Sequence, residues 1–201
     1  MGFVRRLNRY INNMLKIATH DSATGEKGKG LLSLIGTPFA RTQSKTIKEQ
    51  YEAGCRMFDI RLKLIKGQWR CAHGLWQSKR LAFDILNEIN SFEDKCYVTL
   101  TYEGTDKRRE EFVNFICKIR KEFHNIHFGS IAIKYGKGSN LFKVKYDYIY
   151  RTVNWPASKS KFIGLGGSTW HILLPIPWLW KKIYYNNPVF TDDYFTYVDF
   201  L

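Results

Sequence analysis

The sequence contains no long hydrophobic run. None of its apolar stretches reaches the roughly 18 residues that a membrane-spanning helix requires. Residues 1–13 also lack the apolar centre of a secretory signal, because arginines interrupt them at Arg5, Arg6 and Arg9. As presented, the chain is therefore expected to be cytoplasmic or bound peripherally to a membrane, and to be secreted if a leader has been removed.

Acidic residues are also scarce. The 201 residues include 18 Asp and Glu against 32 Lys and Arg, which gives a formal net charge of +14. Such an excess favours an anionic partner, which could be a membrane surface, a nucleic acid or a phosphorylated substrate. No recognisable DNA- or RNA-binding motif accompanies the charge, so nucleic acid is not the expected partner.

Only four cysteines occur, and no pair of them has the C-x-x-C spacing of a metal site. They are expected to be four buried, reduced thiols. The sequence also lacks internal repeats, linkers and low-complexity segments. With 44% apolar residues it is long enough for one cored domain and short for two. We therefore expect a single domain over residues 1–201 that acts as a monomer.

Segments that predict strands alternate with segments that predict helices. Strands are expected over residues 15–19, 57–64, 69–72, 96–102, 131–134 and 197–201. Helices are expected over residues 46–53, 81–92 and 108–123, and the last has an apolar side made of Phe112, Phe115, Ile116, Ile119 and Phe123. Residues 25–41, which glycines and a proline interrupt, are expected to form a loop-rich insertion.

This alternation predicts an α/β fold with a largely parallel sheet. A regular barrel of eight strand–helix units takes about 250 residues. The chain is shorter than that, so a barrel built from it is expected to be irregular or incomplete.

Polar, reactive residues follow or lie within three of the predicted strands. His20 and Asp21 follow the first, Asp59 and Arg61 lie in the second, and His73 follows the third. Alternate residues of a strand share a face, so Asp59 and Arg61 could form a structural ion pair. In barrels of alternating strands and helices the active site lies at the C-terminal ends of the strands. These residues are therefore expected to meet in one site.

The order and spacing of these motifs resemble a known family. His20-Asp21-Ser22, a helix ending at Ala53-Gly54, the run from Arg56 to Arg61, and His73-Gly74 are similar to the catalytic X region of phosphatidylinositol-specific phospholipase C. The bacterial, metal-independent branch is the most similar, and the resemblance covers residues 15 to 103. It implies a TIM-barrel-like fold and the cleavage of phosphatidylinositol to diacylglycerol and a cyclic inositol phosphate.

The resemblance also implies a role for each catalytic residue. His20 would be the general base that removes a proton from the inositol hydroxyl beside the phosphate, and Asp199 would orient it. Arg61 would stabilise the negative charge on the phosphate. His73, kept protonated by Asp21, would be the general acid for the departing diacylglycerol.

Four further residues are assigned to head-group binding by the same resemblance: Asp59, Glu103, Lys134 and Tyr146. The animal relatives bind calcium through acids at the places of Arg61, Asp59 and Glu103. A guanidinium repels calcium and cannot ligate it, so no metal and no other cofactor are expected here. Glu103 departs from the bacterial pattern, which has a lysine there, and it could pair with Arg61 or accept hydrogen bonds from ring hydroxyls.

Two apolar segments predict contact with a membrane surface that carries the phospholipid substrate. One is an aromatic, proline-containing run followed by lysines, which could instead be core. Its interfacial residues would be Trp170, Trp178 and Trp180. The other lies in the glycine-interrupted insertion, where Leu34 and Ile35 either dip into lipid as a rim or belong to a lid.

Two other functions remain open at this stage. A metal-dependent glycerophosphodiester phosphodiesterase shares the barrel and acts on similar bonds. It needs a cluster of acids and an Arg-Gly after its first histidine, where this chain has Asp21-Ser22. A catalytically inactive module that binds lipids or anions would not need to keep both histidines and Arg61.

Overall fold

The structure is a computed structural model that describes residues 17–104, 106–133, 142–143 and 196–198. Its strands are β1 (Ile17–Thr19), β2 (Cys55–Ile65), β3 (Gln68–His73), β4 (Trp76–Leu81), β5 (Cys96–Tyr102), β6 (Ile126–Ile133), β7 (Phe142–Lys143) and β8 (Thr196–Val198). Its helices are α1 (Gly30–Ala40), α2 (Ile47–Glu52), α3 (Ala82–Asn90) and α4 (Arg109–Glu122). Short 3-10 turns cover Ser22–Gly25 and Asp106–Arg108.

The strands form one mixed sheet around β2. Its main path is β4-β3-β2-β5-β6-β7, and β1 pairs with both β2 and β8. The pairs β1–β2, β1–β8, β2–β5 and β5–β6 are parallel, as the alternation of strands and helices predicts. The pairs β2–β3, β3–β4 and β6–β7 are antiparallel. Among the described strands the path ends at β4 and β7 without closing, which is consistent with an incomplete barrel.

The antiparallel part begins at a tight turn between β2 and β3. Lys66 and Gly67, which link the two strands, both have positive φ angles, of 50° and 75°. Two such residues in a row suit the right-handed twist of a hairpin. The chain therefore returns directly alongside β2, without the crossover helix that a parallel connection would need.

The helices form largely where their sequence patterns predict them. The five apolar residues expected on one side of the 108–123 helix are all buried: Phe112, Phe115, Ile116, Ile119 and Phe123. They pack against rings from the sheet, and the Phe112 ring lies 5.2 Å from that of Tyr102. Helix α2 begins with a capping box, in which Thr46 and Glu49 exchange hydrogen bonds.

Helix α1 corrects the expectation of a loop over residues 25–41. Pro38 lies two residues before the helix ends, so the backbone hydrogen bond that it removes affects only the last turn. Gly36 allows close packing, because a Cβ there would lie 2.8 Å from the backbone nitrogen of Trp76. The residues that indicated a loop are therefore compatible with a helix packed closely on β4.

Two other expectations need correction. Strand β4 lies where no strand was expected, and it forms because β3 offers it an edge with which to pair. Cys117 is exposed on α4, whereas Cys55, Cys71 and Cys96 are buried and reduced as expected. Burial raises the pKa of the Cys55 thiol to about 11, so this thiol stays protonated and unreactive near neutral pH.

Candidate active site

The candidate site lies in a gap along one side of β2. Strand β5 pairs with β2 from Met57 to Leu62, so it occupies the other side of that stretch. Strand β1 stops opposite Phe58, and the pairing of β3 starts opposite Leu62. Because β1 is parallel and β3 antiparallel to β2, their C-terminal ends face each other across residues 59–61.

This geometry brings together two histidines that are distant in the sequence. His20 follows β1 and His73 ends β3, while Arg61 lies on β2 between them. The Arg61 Nη2 atom is 2.7 Å from His20 Nε2, and its Nη1 atom is 3.2 Å from His73 Nδ1. One guanidinium therefore spans the distance between the two imidazole rings.

Asp21 contacts all three of these side chains. It is buried, and its Oδ2 atom is 3.2 Å from His20 Nε2 and 3.0 Å from His73 Nδ1. Its Oδ1 atom contacts Arg61 Nε. Burial alone would raise the pKa of this carboxyl, but the charges of Arg61, His20 and His73 outweigh burial and hold the pKa well below its usual range. Asp21 therefore stays ionised.

Arg61 also stays charged. Burial by itself would lower the pKa of its guanidinium, but Asp21, Asp59 and Glu103 together raise the pKa above its ordinary value. The Arg61 Nε atom lies 3.3 Å from the Asp59 Oδ2 atom, which confirms that alternate residues of β2 share a face. The site thus contains a permanent cation that three carboxylates hold in place.

The contacts also assign protons on the two rings. A guanidinium can only donate, so the 2.7 Å contact of Arg61 is a hydrogen bond when His20 Nε2 carries a lone pair, whereas the 3.2 Å contact of the same nitrogen with Asp21 Oδ2 is favourable when it carries a proton. A carboxylate can only accept, and Asp21 makes the closest contact to His73 Nδ1, at 3.0 Å. The shorter contact of His20 Nε2, with Arg61, favours the tautomer that carries its proton on Nδ1, and the shorter contact of His73 Nδ1, with Asp21, favours a proton on that nitrogen.

The loop that carries His20 and Asp21 is held by buried hydroxyls. Asp21 has a left-handed backbone, with φ of 45°, and Thr24 Oγ1 donates to its carbonyl oxygen over 2.8 Å. Ser22 Oγ donates to the Thr19 carbonyl and accepts from the Asp59 N–H, each over 2.8 Å. The loop is thereby tied to both β1 and β2.

Two residues that the sequence analysis does not single out hold His20 from below. Thr42 Oγ1 and Gln43 Nε2 donate to the carbonyl oxygen of His20 over 2.8 and 3.1 Å. They follow Arg41, the residue after α1, and are buried although polar. No residue pattern distinguishes them from an ordinary polar loop, so only the folded chain identifies them.

Asp59 and Glu103 both lie at the site. Asp59 accepts hydrogen bonds from Thr99 Oγ1, over 3.2 Å, and from the backbone N–H of Asp21, over 3.2 Å. Glu103 Oε1 lies 3.4 Å from Arg61 Nη1. Of the alternatives left open for Glu103, the contact with Arg61 is therefore present.

Leu34 and Ile35 lie on α1, with 71% and 52% of their surface exposed. The remaining expected site residues lie outside the described part of the chain: Lys134, Tyr146, Trp170, Trp178, Trp180 and Asp199. Strand β8 ends at Val198, opposite Thr19 of β1. Within the described residues, no helix combines the length and the apolar character needed to cross a membrane.

Three side chains of the site are of the types that ligate metals. His20, Asp21 and Asp59 offer ligand atoms that all lie within 4.8 Å of one another. Arg61 already contacts all three side chains, at Asp21 Oδ1, at Asp59 Oδ2 over 3.3 Å and at His20 Nε2 over 2.7 Å. A divalent cation there would have to displace a guanidinium of the same sign of charge, so this set of residues does not fit a metal.

Comparison with solved structures finds similar chains. The phosphatidylinositol-specific phospholipase C of Listeria monocytogenes matches 94% of this chain and 89% of its own, with a TM-score of 0.51 and 16% identity. A pentafluoro-Phe variant of the Staphylococcus aureus phospholipase matches 94% and 86%, with a TM-score of 0.45 and 16% identity. A second S. aureus structure matches 71% of this chain and 58% of its own, with a TM-score of 0.43 and 18% identity.

No protein-family model matches the sequence, and no curated protein matches it either. At 16% identity the similarity to the L. monocytogenes structure concerns the fold. The predicted resemblance to the bacterial phospholipases is confirmed at that level.

Proposed function

We propose that this chain is a phosphodiesterase that cleaves phosphatidylinositol, or a related inositol phospholipid, to diacylglycerol and a cyclic inositol phosphate. The observation that carries the proposal is the convergence of His20, Arg61 and His73 around the buried Asp21. This reaction needs a base, a fixed cation and an acid that can all contact one phosphodiester group. The fold, shared with the L. monocytogenes phospholipase, supports it. The fold proposed for the whole chain is an irregular or incomplete TIM-like barrel.

The reaction begins with proton removal by His20. Once phosphate oxygens have replaced His20 as the acceptor of the Arg61 hydrogen bond, the Nε2 lone pair of His20 takes the proton of the inositol hydroxyl next to the phosphate, and the alkoxide oxygen forms a bond to phosphorus. The bond between phosphorus and the glycerol oxygen breaks, and His73 gives a proton to that oxygen from its Nε2. Because the nucleophile belongs to the substrate, the attack has a large proximity advantage. Asp199, which follows Val198 in the sequence, is proposed to hold the Nδ1 proton of His20.

Arg61 binds the phosphate in this proposal. Its planar fork matches two phosphate oxygens, and it stabilises the extra negative charge of the transition state. Asp21 and Asp59 keep the guanidinium in place. Asp59, together with Lys134 and Tyr146, is proposed to bind the inositol head group, and Glu103 supports Arg61 beside it.

The direct test is incubation with phosphatidylinositol labelled in the inositol ring, followed by separation of the water-soluble products. We expect a cyclic inositol phosphate as the first product, and equal rates with and without EDTA, because Arg61 supplies the positive charge. Loss of activity on chelation would instead favour a metal-dependent glycerophosphodiester phosphodiesterase. Lipid binding without any product would favour an inactive module.

Helix α1 is proposed to bring the site to a membrane surface. Six large apolar residues on and beside it are exposed: Leu31, Leu32, Leu34, Ile35, Phe39 and Leu75. Lys27 and Lys29, at the start of the helix, are exposed as well and would lie near anionic lipid. Only Arg41 separates α1 from Thr42 and Gln43, which bind the His20 carbonyl, so a membrane that binds α1 lies close to the His20 loop. Trp170, Trp178 and Trp180 remain predicted members of the same interface.

The double variant Leu34→Ser, Ile35→Ser should act poorly on vesicles. If inserting each side chain into lipid contributes about 1.5 kcal/mol, losing both weakens vesicle binding roughly 100-fold. Sedimentation with phosphatidylinositol vesicles measures that loss, and cleavage of a water-soluble, monomeric inositol phosphodiester should be unchanged. Equal binding of the variant and the wild type to vesicles would contradict a role of α1 at the interface.

A further inference from the structure

Glu103 is a buried carboxylate whose position the sheet determines. Its backbone N–H donates to the Leu62 carbonyl over 2.8 Å, which extends the β2–β5 ladder by one residue. Only 3% of its side chain is exposed. The carboxylate is therefore held by regular structure and not by a loop that can move away.

The side chain of Glu103 connects two parts of the site. Its Oε2 atom accepts a hydrogen bond from the backbone N–H of Gly74 over 3.0 Å. Its Oε1 atom lies 3.4 Å from both Arg61 Nη1 and His73 Nδ1. Gly74 has a left-handed φ of 58°, and its N–H lies in the turn that immediately follows His73. Both carboxylate oxygens are thus already directed at protein groups.

Glu103 contacts a different nitrogen of Arg61 from the two aspartates. Asp21 contacts Nε and Asp59 lies 3.3 Å from it, whereas Glu103 lies 3.4 Å from Nη1. Nη1 is one of the two guanidinium nitrogens that would bind a phosphate. An anion that enters the site would therefore compete with Glu103 for Nη1, whereas Asp21 contacts Nε.

We infer that Glu103 is a positioning residue that holds the His73–Gly74 turn and Nη1 of Arg61 in place, and that it does not bind an inositol ring hydroxyl. This inference rests on the proposed function. Substituting such a positioning residue changes the rate of turnover and the affinity for anions. Substituting a residue that accepts a hydrogen bond from a ring hydroxyl would instead change the affinity for a neutral polyol.

The kinetics of three variants test whether Glu103 is a positioning residue. Glu103→Gln keeps an oxygen for the Gly74 N–H, whereas Glu103→Ala removes it and Glu103→Lys places a cation beside Arg61. We expect kcat to fall about tenfold in Glu103→Gln and about 100-fold in the other two, as for other supporting hydrogen-bond partners, with KM unchanged or lowered because one competitor for the phosphate is gone. A raised KM with an unchanged kcat in all three would overturn the inference. Should Glu103→Ala unfold, the comparison of Glu103→Gln with Glu103→Lys decides.

Binding of two probes tests the same idea without turnover. By calorimetry, inorganic phosphate should bind Glu103→Gln several-fold more tightly than the wild type, because one competitor for Arg61 is gone. Binding of myo-inositol should not differ between them. Weaker or equal phosphate binding, or a loss of myo-inositol binding, would overturn the inference. Glu111→Gln, at an exposed ion pair on α4, is the matched control and should behave as the wild type.

The two sets of measurements separate the inference from the proposed function. If the wild type releases no inositol phosphate from phosphatidylinositol, the proposed function fails. The phosphate-binding comparison still decides whether Glu103 competes for Arg61.

Discussion

Replacing either His20 or His73 with alanine should lower phosphatidylinositol cleavage by about a thousandfold, which is the middle of the range for a general acid or base. In His20→Ala no group remains to take the proton from the inositol hydroxyl. In His73→Ala the glycerol oxygen must leave as an alkoxide. The release of labelled inositol phosphate under single-turnover conditions measures both effects.

The double variant should be little slower than either single variant, because acid and base act in one concerted step and their losses do not add. A substrate whose leaving group needs no proton distinguishes the two roles. It should restore much of the rate in His73→Ala and little of it in His20→Ala. His124→Ala, at an exposed position after α4, is the control and should keep the wild-type rate. Wild-type turnover in His20→Ala or His73→Ala would remove the acid–base assignment.

Arg61→Lys should lower the rate by roughly 100- to 1,000-fold, the cost of losing one strong donor to the transition state. Lysine keeps the charge but not the planar fork, and its ammonium cannot contact His20, Asp21 and Glu103 together as the guanidinium does. The loss should appear mainly in kcat, because the charge remains available to the ground-state phosphate.

Arg108→Lys provides the matched control for this substitution. Arg108 pairs with Glu111 at the surface, where 59% of the arginine side chain is exposed, so the exchange should leave activity unchanged. Thermal unfolding of Arg61→Lys should also be compared with that of the wild type, since Arg61 neutralises buried carboxylates. A variant that is folded and fully active would show that a point charge suffices and would contradict the role of the fork.

Local structure follows from the sequence wherever a strong pattern has no competitor. The capping box at Thr46, the positive-φ turn at Lys66-Gly67 and the apolar side of α4 each depend on residues a few positions apart. Helix α1 was not predicted, because its glycines and Pro38 are tolerated only through contacts with β4. Strand β4 was missed for the related reason that β3 provides its pairing edge.

The sequence by itself determined which chemical groups the candidate site has and in what order: two imidazoles, one guanidinium and three acids, each in or after an apolar strand. It also indicated that Asp59 and Arg61 share a face. Only the tertiary structure decided that His20 and His73 meet, because β1 and β3 lie on the same side of β2 and run towards each other. Pairing between distant strands depends on the register and direction of the whole sheet, which no local pattern encodes. The pairing of β2 with β5 likewise places Glu103 beside the N–H of Gly74, and the course of the loop after α1 places Thr42 beside the carbonyl of His20.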